Sequence, residues 1–96
     1  MAKIQAIRNF EKTPVNDVYQ AILKAAPLAA LKVWKQRDIA WLVMVRSAAG
    51  SGSVEGNIST RPGGAVTVSL SSDGLTETEL QAQADRVFEE ISKILE

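Results

Sequence analysis

Apolar residues in the middle of this chain recur at every second position, while on both flanks they recur at every third or fourth. Side chains alternate across a strand and return to one face of a helix after about 3.6 residues, so the change of period marks a sheet framed by helices. The strands expected in this middle region are Leu31–Gln36, Arg37–Arg46, Val54–Arg61 and Ala65–Ser71. A weaker alternation makes Lys3–Arg8 a short edge strand. The expected architecture is α+β: a curved antiparallel sheet of four to five strands with two helices packed on one face, in the order β-α-β-β-β-β-α. The 96 residues suit one domain, 1–96.

Both helices carry start signals. Thr13 is placed to cap the first, with Pro14 at the first helical position, where its missing N–H costs nothing. Val15, Val18, Tyr19, Ile22 and Ala25 or Ala26 form its apolar stripe, and Pro27 is expected to end it. The second helix lies in "GLTETELQAQADRVFEEISKILE". Thr76 and Glu79 have the spacing of a capping box, flanked by Leu75 and Leu80 as a hydrophobic staple. Leu80, Ala84, Val87, Phe88, Ile91, Ile94 and Leu95 make one stripe; Gln81, Asp85, Glu89, Ser92 and Glu96 oppose it.

The turn "RPGG" fixes the faces of the last two strands. A three-residue loop, Pro62-Gly63-Gly64, brings Ile58 opposite Val68, and Glu55, Asn57, Ser59, Thr67, Ser69 and Ser71 then share a polar, wet face. Gly56, in mid-strand, marks a bulge or a close helix approach.

One strand breaks the alternation. In "DIAWLVMVR" seven apolar residues, Ile39 to Val45, stand together. A two-residue turn at Gln36-Arg37 puts Trp34 opposite Ile39 and Lys32 opposite Trp41. Leu31, Val33, Ala40, Leu42 and Met44 then face the helices, while Trp34, Ile39, Trp41 and Val43 emerge on the open side. A three-residue turn instead sends Trp41 into the core and leaves Trp34 out. Either way apolar surface remains beyond the cover of the helices. A second copy or another protein could cover it, or a small apolar ligand, or stacked nucleic-acid bases; the bland alternative is a mini-core closed by Ile7, Phe10 and the connector at Pro27. The candidate binding residues are Lys32, Trp34, Arg37, Ile39, Trp41 and Val43.

The element order resembles the β-α-β4-α arrangement of TATA-binding-protein-like half-domains, and a shortened helix-grip domain, in which a long C-terminal helix crosses a curved antiparallel sheet. The first likeness implies nucleic-acid binding through the sheet face, by phenylalanine wedges and a basic surface. Here Phe10 and Phe88 fall outside the strands. The second implies an apolar or acyl ligand held between helix and sheet.

Chemistry is harder to place. The chain has no cysteine and no histidine, which removes thiolates, the commonest general base and the commonest transition-metal ligand. Glu77 and Glu79 suit a helix start, and Glu89 and Glu90 a wet helix margin. The serines have no nucleophile-elbow motif around them. "AAGSGSVEGN" lacks the Lys-Ser/Thr ending of a phosphate-cradling loop and runs into a strand, so it reads as a connector. No cofactor, metal or catalytic residue is implied. The longest apolar run is too short to span a membrane, no secretory signal is visible at the start, and a cytoplasmic setting is expected. Charge is split: residues 1–50 hold eight bases and three acids, residues 51–96 three bases and eight acids. Lys32, Lys35, Arg37, Arg46 and Arg61 lie on or near the tryptophan-bearing hairpin, but zero net charge speaks against nucleic acid as the partner. The function expected is a non-catalytic binding or assembly module working through an open sheet face.

Overall fold

The computed structural model describes residues 2–10, 13–47 and 54–95. Its elements are β1 (Ala2–Asn9), α1 (Val15–Leu28), β2 (Leu31–Arg37), a 3₁₀ turn at Asp38–Ala40, β3 (Leu42–Ser47), β4 (Val54–Thr60), β5 (Ala65–Ser72) and α2 (Glu77–Leu95). The strands form one antiparallel sheet in the order β1-β5-β4-β3-β2. The fold class is therefore the one the periodicity implies. The glycine- and serine-rich connector lies outside the described residues.

The β4–β5 hairpin closes on the three-residue loop: Ile58 pairs with Val68 and Thr60 with Val66. Gly63 and Gly64 take φ of 109° and 92°, which explains the glycines. Rows of core side chains then cross the sheet. Ala6, Val68, Ile58 and Val43 lie in one row; Ile4, Leu70, Gly56, Val45 and Val33 lie in the next. Gly56 is no bulge. It sits in register, closely approached by the β5 backbone rather than by a helix.

Both helices cover this one face. Val18, Tyr19, Ala21, Ile22, Ala25 and Ala26 are buried from α1, and Leu80, Ala84, Val87, Phe88 and Ile91 from α2. The capping box forms as spaced: Glu79 N–H donates to Thr76 Oγ1 (3.2 Å) and Thr76 N–H to Glu79 Oε1 (3.2 Å). Gln81, Asp85 and Glu89 are exposed, while Glu90 is buried at its margin and held by Arg86 (3.1 Å) and Lys93 (3.6 Å). Glu96 is outside the described residues.

The ends of α1 differ from expectation. Pro14, not Thr13, occupies the cap position; no side chain caps it, and its carbonyl accepts from Asp17 and Val18. Pro27 does not end the helix, which runs to Leu28. In the last turn the proline gives up a single bond, and its own carbonyl accepts from Ala30 N–H at 3.1 Å. Ala30 makes the exit with φ 62°, a task usually given to glycine.

Candidate functional site

The β2–β3 hairpin is where regularity fails. Val33 pairs with Val45 and Lys35 with Met44, so Trp34 is an extra, unpaired residue: a β-bulge. Beyond it Gln36 pairs with Val43 and Arg37 with Leu42. The turn is longer than two residues. Asp38–Ala40 wind one 3₁₀ turn, and Trp41 follows in the left-handed region at φ 48°, ψ 45°.

Contacts from α1 hold that turn. Tyr19 Oη donates to Asp38 Oδ1 at 2.7 Å, and Gln36 Nε2 donates to the same oxygen at 3.3 Å. Burial, then the hydrogen bond to Asp38 and its negative charge, push the Tyr19 hydroxyl up to about 12. Trp41 Nε1 donates to Asn16 Oδ1 at 3.4 Å, and the Trp41 carbonyl accepts from Thr60 N–H at 3.1 Å. A bulky residue in left-handed conformation is an outlier that persists only where its surroundings fix it. Here three elements do so.

This geometry corrects part of the sequence reading. Val43 is fully buried with Val45 and does not emerge on the open side. Leu42 and Met44, assigned to the helices, are half-buried on the open face, across from Ser59 and Asn57. Trp41 packs against the core. The grouping of the three-residue alternative, Trp41 in and Trp34 out, is the one observed, but a bulge produces it rather than turn length. Ile39 leaves the sheet altogether and stands at the hairpin tip, 96% exposed.

The remaining candidates gather at one edge. Lys32 and Arg37 are exposed on β2, and Trp34 is 46% exposed. The Arg46 guanidinium lies 4.5 Å from the centroid of the Trp34 ring. Beside them a shallow depression of about 240 Å³ touches Met44, Glu55, Asn57 and Ser71 on the polar face. On the other side of β2 a groove of about 760 Å³ runs against α1. Leu23, Pro27, Leu31 and Val33 supply its apolar wall; Lys32, Gln36 and Arg46 supply its polar rim. Sequence reasoning missed Leu23 and Pro27 as groove residues because they lie on the shoulder of the α1 stripe, where a one-dimensional pattern shows no partner. Among the described residues, no three or more Asp or Glu side chains cluster as a metal site would require. No helix in that set is long and apolar enough to cross a membrane.

No family model and no curated protein matches this sequence. Among solved structures the chain is similar to TTHA0849 from Thermus thermophilus, with a TM-score of 0.64, 97% of this chain and 93% of that one covered, and 15% identity. A likeness at that identity speaks for a shared fold and no more.

Proposed function

We propose that this chain is a non-catalytic binding module that docks another protein along the β2–β3 end of its sheet. One observation carries the reading. Of the four large apolar side chains exposed among the described residues, Leu28, Trp34 and Ile39 lie just before, on and just after the edge strand β2, and only Ile7 lies elsewhere. Scattered exposed leucines need no explanation, but a row along one strand, interleaved with Lys32, Lys35 and Arg37 and with Arg46 beside Trp34, has the composition of an interface: aromatic, aliphatic and arginine. The likeness to helix-grip domains suggests a small apolar ligand instead. In such a domain the ligand would lie between the long helix and the sheet, and that space is filled here by Leu70, Leu80, Val87, Phe88 and Ile91, all buried. Protein docking therefore draws the stronger support, and a cytoplasmic setting goes with it in this reading.

Photo-cross-linking in cells tests the proposal. A benzophenone amino acid at position 35 or 39 is expected to give a discrete adduct with a partner, and the same group at position 81, on the exposed side of α2, none. Absence of adducts from all three positions, or equal labelling from all three, would refute it.

A further inference from the structure

We propose that the occupant of this edge is an extended segment of alternating acidic and apolar residues, added to β2 as a further antiparallel or parallel strand. The inference rests on the docking reading above and specifies its chemistry.

Among the described residues β2 is the last strand of the sheet and pairs only with β3, so within that set the main-chain groups along its other edge have no strand partner. An incoming strand would present alternate side chains to the two sides of the sheet. The two sides of β2 differ. Toward α1 lies the apolar wall of Leu23, Pro27, Leu31 and Val33. On the alternate positions, toward the open face, lie Lys32, Lys35 and Arg46, the last stacked on Trp34; Lys32 and Arg46 also reach the rim of the groove at the strand edge. Every second residue of the ligand therefore meets hydrocarbon, and every other one meets cations. No acid occurs between Leu31 and Arg37; Asp38, next in sequence, has Oδ1 engaged by Tyr19 and Gln36, and Glu55, across from Arg46, lies two strands in from the β2 edge.

The same charges argue against a second copy. Two β2 edges paired about a dyad would bring three cations from each copy into one ladder, a destabilising arrangement. The other edge strand, β1, is also basic, through Lys3 and Arg8. The acidic outer side of α2 has the complementary sign, but none of the exposed large apolar side chains lies there to fill the groove.

The test uses the full chain and labelled peptides. Ac-EVEVEVEV is expected to bind saturably and to slow amide exchange along β2; its lysine counterpart KVKVKVKV is not. A Pro-Pro pair at the centre of the acidic peptide, one of whose two lost N–H groups must face β2, is expected to weaken binding at least about tenfold. The double variant Lys32→Glu/Lys35→Glu, checked for folding by circular dichroism, is expected to lose at least about tenfold and to gain affinity for KVKVKVKV. The proposal is overturned if no peptide binds at millimolar concentration, in which case Lys32 and Lys35 only guard the edge against aggregation. It is also overturned if both peptide charges bind alike, if the proline pair has no effect, or if protection falls outside β2. Position-specific adducts at residues 35 and 39 without peptide binding would leave the docking module standing and remove strand addition.

Discussion

Replacing Gly56 with alanine should cost this protein much of its stability. Gly56 lies between Leu70 of β5 and Val45 of β3 in a fully paired stretch. A methyl group on its Cα would land on the Ser69 carbonyl oxygen, with the Ser69 carbonyl carbon at 2.9 Å and Leu70 Cα at 3.0 Å. These are main-chain atoms of a paired strand and cannot swing away as a side chain could. The methyl is accommodated only if β4 and β5 part locally. Overpacking costs about 1–3 kcal/mol. One or two weakened ladder bonds add about 0.5–1.5 kcal/mol each. The smaller conformational freedom of alanine in the unfolded chain returns about 0.4–1 kcal/mol. At the middle of these ranges the net loss is about 3 kcal/mol, against a total of ~5–14 kcal/mol for a chain of this length. The melting temperature should fall by roughly 10–25 °C. Thermal melts and urea titrations followed by circular dichroism measure both. Gly63→Ala is the control: its φ is +109° but a Cβ there meets nothing within 4 Å, so only backbone strain, about 1–2 kcal/mol, is at stake. If Gly56→Ala unfolds within ~0.5 kcal/mol of wild type, or costs less than Gly63→Ala, the close approach of β4 and β5 is wrong.

Tyr19 makes stability depend on alkaline pH. Its hydroxyl is raised from the usual 10 to about 12, so its contribution is complete below pH 10 and is lost as pH climbs from 10 to 12. Urea midpoints across that range should fall more steeply for wild type than for Tyr19→Phe; parallel curves would contradict the assignment. Thr76→Ala removes a cap that forms both bonds of the box, and should cost about 0.5–2 kcal/mol in the same urea assay. Ala30→Gly relieves a φ of 62° and should leave stability unchanged or raise it by up to about 1 kcal/mol, where an ordinary alanine-to-glycine change destabilises. Arg46→Ala, in a Trp41→Phe background, should uncover Trp34 and increase its quenching by acrylamide, while costing only ~0.5–1 kcal/mol.

Most of the architecture was legible because local signals agreed with one another. The capping box, the staple and the stripe of α2 name the same helix, and the loop at Pro62–Gly64 fixes which faces of β4 and β5 coincide. Thr13 and Pro27 misled for a shared reason: both argue from what a helix end ordinarily contains, and tertiary contacts hold α1 instead, with Asn16 and Tyr19 near its start bonded to Trp41 and Asp38, and Gln83 of α2 donating to the Ala29 carbonyl just past its end. The β2–β3 hairpin was less legible. Gln36-Arg37 supplies neither of the residues that accept φ > 0 in a two-residue turn, a signal that argues for a longer connection. Which residues form that connection depends on Tyr19 reaching Asp38, and no local pattern encodes a contact across nineteen positions.

Turn length is not what redirected the faces. Four residues, Asp38 to Trp41, separate β2 from β3, and an even number keeps the parity of a two-residue turn. With an unbroken β2 and that turn, Leu31 and Val33 would share a face with Leu42 and Met44, and Val43 and Val45 would point to water. The core needs Leu31 and Val33 on one strand and Val43 and Val45 on the next, aligned with Ile58 and Val68. A single extra residue reconciles the two demands. That residue is Trp34, left without a pairing partner and outside the core, where Arg46 can cover its ring. The irregularity that lets the hairpin fill the interior thus also leaves an indole on the surface. Drawing Trp34 into the ladder opposite Val45 would make the alternation regular only by turning Leu31 and Val33 outward, so the exposed tryptophan and the buried valines are consequences of one register.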